Sequence, residues 1–172
     1  VFLWFEDDLF CLVNMWFVIY YISQKTNTTF FRVFPKEDKM RWSGFAKSEP
    51  VELVDCFQKR VELKASDILL SNHLWAAYVD HDAATLKKLS TIVSNGFRFL
   101  PDVIQAQLDR ASSDDKPGRP QQALIDILND GKSNFYEIYE DFWARNSIYG
   151  FGDLQVYNML KEMEIEFLGE PF

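Results

Sequence analysis

Residues 9–22 are apolar almost without interruption, broken only by Asn14, and three consecutive carboxylates, Glu6, Asp7 and Asp8, lead into them. This stretch is shorter than the roughly 20 residues a helix needs to cross a bilayer, and it lacks the basic lead of a signal peptide. It therefore predicts a buried core helix. The segments on either side are strand-like: Val1-Phe2-Leu3-Trp4-Phe5 before it and Phe30-Phe31-Arg32-Val33-Phe34 after it. A strand, a helix and a strand in that order predict a parallel pair joined by a right-handed crossover. The first strand is apolar at every position, the pattern of a central strand covered on both faces. The three carboxylates then fall at its carboxyl end, where open α/β sheets gather ligands and catalytic groups.

The rest of the chain supports a substantial core without disulfides. It has 172 residues, 48% of them hydrophobic and 16% aromatic, enough for one domain or one domain with an appendage. The two cysteines, Cys11 and Cys56, form neither a CxxC nor a zinc spacing and lie in apolar helical patterns. A reducing cytoplasm is the simplest setting, and no membrane role is expected. The formal net charge of −8 repels phosphate backbones, so nucleic-acid binding is disfavoured. Two strands alone rarely make a stable sheet. Further strands are therefore expected from upstream sequence or from a partner chain.

Pro35 ends the second strand, and residues 36–48 read as a loop. A helix opens at Ser48-Glu49-Pro50 and is predicted to run through Val51, Val54, Phe57 and Val61. Ser66 is the expected cap of a helix over 67–79, which Asp80-His81-Asp82 breaks. A helix over 83–94 follows, with Leu86, Leu89 and Val93 on one face, and then a short one over 101–110. The polar, Pro- and Gly-containing run 113–120 reads as a linker. Beyond it, helices are expected over 121–129, 134–145 and 153–163, with a terminal strand over 164–168, an arrangement that resembles a winged helix. The predicted fold is thus an α/β domain over 1–112, a parallel-sheet fragment with helices, followed by a small helical, winged-helix-like domain over 121–172.

Trp4-Phe5-Glu6-Asp7-Asp8-Leu9-Phe10-Cys11, together with Asn14, resembles the bacterial family catalogued as domain of unknown function 1835. The segment from Pro120-Gln121-Gln122-Ala123-Leu124 to Gly150-Phe151-Gly152-Asp153 resembles its companion, domain of unknown function 3658. The resemblance singles out Glu6 and Asp8. It also implies two departures: Leu12 stands where the family commonly has Gln, and the family's upstream His and Gly-Asp-Ser motif has no counterpart here. The family carries no assigned activity, so function must be argued from the residues.

Glu6 and Asp8 are the candidate catalytic and metal-holding pair, because carboxylates behind a buried strand can bind a divalent cation such as Mg²⁺ or move protons. The bland alternative is that one of them caps the helix and the others sit in its positive dipole end. Asp7 and Asn14 are candidate ligand-binding residues on a shared face with Cys11, and Asn14 reads equally as a structural amide. Lys36 is placed to meet an anion. Cys11 reads as a small buried thiol, since neighbouring carboxylates oppose a thiolate. His81 between Asp80 and Asp82 reads as a solvated break. The C-terminal segment from residue 119 has four cations against ten carboxylates, which opposes DNA binding by a winged helix. Its stripe of Phe135, Tyr136, Tyr139, Phe142 and Trp143 reads first as core or interface. Two function classes follow. One is a metal-assisted hydrolase or phosphotransfer enzyme built on Glu6 and Asp8. The other is a non-enzymatic interaction or scaffold protein with a protein partner or a second copy of itself.

Overall fold

The computed structural model describes residues 1–36, 42–111 and 116–171. It is a mixed α/β structure, mostly helical, with eight α-helices and one three-stranded sheet among the described residues. The chain divides into two compact units, Val1–Gln105 and Ala106–Phe172.

In the first unit, β1 (Phe2–Trp4) pairs in parallel with β2 (Phe31–Val33), and β2 pairs antiparallel with β3 (Val61–Glu62), in the order β1-β2-β3. The strand–helix–strand unit expected from the sequence is present, with α1 (Leu9–Ser23) as the connection. The place of its first strand is corrected: among the described residues β1 lies at the edge of the sheet and β2 in the middle. Leu3 is buried, whereas Phe2 and Trp4 on the opposite face are 50% and 41% exposed. Aromatic neighbours cover part of this apolar outer face. Phe2 lies 5.0 Å from Phe57 and Trp4 lies 5.4 Å from Phe45, centroid to centroid.

Helix α1 buries Leu9, Leu12, Met15, Trp16 and Ile19, one stripe at helical spacing, against α3 (Ala65–Val79). The α3 side supplies Leu70, Leu74 and Ala77. A fully buried Leu or Trp stabilises by about 2–3 kcal/mol through the water it sheds. The other side of α1 leaves Phe10, Phe17, Tyr20 and Tyr21 exposed. The near-uniform apolarity of α1 therefore does not mean burial all round.

Helix α2 (Pro50–Gln58) begins where expected, with Pro50 in the first turn and the Glu49 N–H donating to Glu52 Oε2 at 3.0 Å. It does not continue to Val61. That residue stands opposite Arg32 in β3, and the N–H of Leu63, two residues on, donates to Phe30 O at 2.9 Å. Val51 and Val54 are exposed and Cys56 is the buried residue of α2, so the stripe read from the sequence is not the packed one. The cap of α3 is also shifted: it is Lys64, two residues ahead of the expected Ser66, and its N–H donates to Asp67 Oδ2 at 2.8 Å.

Asp82 caps α4 (Ala83–Leu89), accepting from the Thr85 N–H at 2.9 Å. The predicted extension to residue 94 fails. Ser90 and Thr91 turn their hydroxyls onto the carbonyls of Lys87 and Lys88, each at 2.8 Å, which competes with helix propagation. Leu86 and Leu89 are buried as expected, but Val93 is 95% exposed. Helix α5 (Leu100–Asp109) then carries the division between the units.

The second unit holds α6 (Arg119–Asn129), α7 (Phe135–Asn146) and α8 (Asp153–Glu162) around Leu124, Ile127, Phe135, Ile138, Phe142, Val156 and Leu160. Asn134 caps α7 through the Tyr136 N–H at 2.9 Å. Gly131 and Gly150 take positive φ at the two turns, as C-terminal glycines do. Residues 164–168 contribute a single parallel bridge, Asn134 with Leu168, among the described residues. Of the proposed linker, 113–115 lie outside the described residues, and Arg119 and Pro120 belong to α6. Among the described residues no helix is long and apolar enough to cross a membrane.

Candidate functional site

Because β1 and β2 are parallel, the segments leaving both strands emerge on one edge of the sheet. The first carries Glu6, Asp7 and Asp8, and the second carries Phe34, Pro35 and Lys36. The three carboxylates have three different environments.

Asp7 is buried and forms ion pairs with two guanidinium groups. Arg32 Nη2 lies 3.2 Å from Oδ1, and Arg98 Nη2 donates to Oδ2. Arg32 also donates to the Glu6 carbonyl at 3.1 Å, and Arg98 to the Pro35 carbonyl at 3.0 Å. Asp7 thereby ties the loop after β1 to the loop after β2. Arg32 is fully buried in the central strand, and its Nε and Nη1 have no hydrogen-bond partner among the described residues. Burial pulls its pKa down to about 10, which still leaves it charged at neutral pH, and the pairing with Asp7 acts in the opposite direction. Both guanidiniums lie over the Phe34 ring, Arg32 at 5.0 Å and Arg98 at 4.4 Å.

Asp8 is the N-cap of α1: its Oδ1 accepts from the Cys11 N–H at 2.9 Å. Burial pushes its pKa up to about 6, against the lowering effect of the cap hydrogen bond, and the negative charge of Glu6 adds to the rise. Glu6 is half-buried and reaches into the turn that follows residue 41, where its Oε1 accepts from the Phe45 N–H at 2.8 Å. Gly44 is required beneath it. It has φ of +64°, and a Cβ there would lie 1.9 Å from the Glu6 carboxyl carbon. Glu6, Asp8 and Cys11 each offer one ligand atom, all within 4.8 Å of one another. Burial and the Asp8 charge push the Cys11 thiol up to about 12, so Cys11 is a neutral thiol at ordinary pH.

The other sequence candidates are placed apart from this trio. Asn14 is exposed on α1 and donates to the Phe10 carbonyl of its own helix at 2.7 Å. Lys36 lies on the rim of a cleft and pairs with Glu52 of α2. That cleft, about 320 Å³, is walled by Phe34, Pro35, Lys36, Asp55, Cys56, Lys59 and Arg98.

Sequence reasoning missed Arg32 and Arg98. A signal for Arg32 existed: a lone cation within an apolar strand needs a carboxylate partner. Arg98 gave none, because it stands 91 residues from Asp7 along the chain. Comparison with family models, curated proteins and solved structures found no match to this chain.

Proposed function

We propose that the edge formed by the loops after β1 and β2 is a catalytic site in which Glu6 and Asp8 hold a divalent cation of the Mg²⁺ or Mn²⁺ type for hydrolysis or phosphoryl transfer. The observation that carries this reading is the convergence of Glu6, Asp8 and Cys11 ligand atoms within 4.8 Å. Two carboxylates with a neutral thiol beside them form an oxygen-dominated set, which suits hard cations. A bound cation would polarise a phosphoryl oxygen or a water. Asp8, with its pKa near 6, would release a proton on binding the ion, so affinity should rise with pH through that region. The Asp7 cluster beneath would act as a rigid base that positions both loops. The reading includes membership of the 1835 family, supported by Trp4 to Asp8, and a cytoplasmic location.

The test is thermal unfolding with Mg²⁺, Mn²⁺, Ca²⁺ or Zn²⁺ against a chelator, in the natural chain and in Glu6→Gln/Asp8→Asn. A ligand at a hundred times its Kd stabilises by about 2.7 kcal/mol. A metal-dependent rise that the double variant loses supports the reading. No rise with any ion overturns it.

A second reading, an interaction or scaffold role, is favoured by the exposed aromatic face of α1, Phe10, Phe17, Tyr20 and Tyr21. It is not favoured by α7, whose Phe135 and Phe142 are spent on the core of the second unit. Concentration-dependent self-association abolished by Phe10→Ser/Tyr21→Ser would support it, and a monomer at all concentrations would remove the homo-oligomer version. The winged-helix likeness of the C-terminal unit belongs to this second reading, as a protein-contact module and not a DNA reader.

A further inference from the structure

The cleft walled by Phe34, Pro35, Lys36, Asp55, Cys56, Lys59 and Arg98 gathers more cations than carboxylates in its lining. Its lining places three cations, Lys36, Lys59 and Arg98, around one carboxylate, Asp55, in a chain of net charge −8. Arg98 is held in place rather than free to swing, because one of its nitrogens is bonded to both Asp7 and the Pro35 carbonyl. A guanidinium fixed in advance loses little entropy on meeting a ligand. Fully buried Arg32 shares the Phe34 ring with Arg98, and the two guanidiniums share the single carboxylate of Asp7, so one net positive charge backs the wall of the cleft. Lys36 and Lys59 are long, exposed side chains paired with Glu52 and Asp55. Exposed pairs of that kind are worth little, so an entering dianion can draw the ammonium groups inward at small cost. Phe34, Pro35 and Cys56 supply an apolar wall.

The geometry points to this cleft as the binding site for the phosphoryl group of a small phosphorylated molecule. Its volume of about 320 Å³ admits a phosphate with a short or single-ring substituent and not a large cofactor. The proposal deepens the catalytic reading by naming its substrate class, and it rests on that reading for placing both sites on one sheet edge. It requires no bound metal.

The experiment is calorimetric titration in the presence of EDTA, so that loss of the metal reading leaves this result intact. Inorganic phosphate and phenyl phosphate are the probes, and sodium chloride of matched ionic strength is the control. Lys36→Gln/Lys59→Gln is the variant, and its unfolding midpoint without ligand should match that of the natural chain because both side chains are exposed. Expected is saturable binding of phenyl phosphate, weakened at least tenfold in the variant. Phenyl phosphate binding more tightly than inorganic phosphate identifies a phosphoester as the ligand. Equal affinity identifies free phosphate and overturns the substituent part of the proposal. No binding of either probe above the chloride control, or binding that the variant leaves unchanged, overturns it altogether.

Discussion

The two units treat charge in opposite ways. In the first, a carboxylate and a guanidinium, Asp7 and Arg32, are withdrawn from water with Arg98 against them. In the second, the core is apolar and aromatic, and the ion pairs lie outside it. Arg145 meets Asp141 and Asp130 at 2.7 and 3.1 Å, and Lys132 meets Asp141 at 3.0 Å, with all three partners of Asp141's network solvated and Asp141 itself partly exposed. Burying charge costs several kcal/mol per ion, and packing alone would stabilise the same space at least as well. The second unit shows what the same chain does where hydrophobic packing suffices.

The largest effect should come from breaking the buried pair. Asp7→Ala leaves Arg32 charged and without its carboxylate, and is expected to cost about 3–5 kcal/mol in chemical denaturation. Adding Arg32→Met should recover part of that loss. If Asp7→Ala proves no more costly than a surface change, the contrast between the units is wrong.

Asp8→Asn should act in the other direction. The folded pKa of Asp8, about 6, lies above its ordinary value of 3.8. The folded state therefore holds this proton more tightly than the unfolded chain, and stability is lost as pH rises from about 4 through 6. The pKa difference corresponds to about 3 kcal/mol at neutral pH. Asn keeps the helix cap without the charge. The variant should be more stable than the natural chain at pH 7.5, should equal it near pH 3.5, and should lose that part of the pH profile. Urea midpoints across pH 3.5–8 check this.

Gly44→Ala tests the support beneath Glu6. A left-handed backbone costs an alanine about 1–2 kcal/mol, and its Cβ would displace the carboxylate. A modest stability loss accompanied by a larger loss of cation affinity is expected. Equal cation affinity would detach Glu6 from the site. The smallest effect belongs to the second unit: Asp141→Ala removes solvated pairs and should leave the unfolding midpoint within about 4 °C.

Much of the architecture was legible because it is local. The apolar run after three carboxylates marks α1, and its cap is Asp8, one of the residues expected to provide it. Pro50, Asp82, Asn134 and Gly150 mark ends that the structure keeps. The failures came where apolar residues exceeded what the core could hold. Val51, Val54 and Val93 look like core in sequence and lie in water, while Val61 left a helical pattern to pair with β2.

The sequence by itself determined that a largely apolar helix joins two parallel strands, that carboxylates collect at their exit, and that the C-terminal segment is helical and acidic. Helical period, capping chemistry and charge are properties of neighbouring residues, so they can be read along the chain. Only the tertiary structure decided which of three adjacent carboxylates is an internal counter-ion, which is a cap and which reaches the Gly44 turn. It also decided that β2, not β1, is central, and that Arg98 closes the cluster. Those outcomes depend on burial and on partners tens of residues away, and desolvation makes chemically identical side chains behave differently.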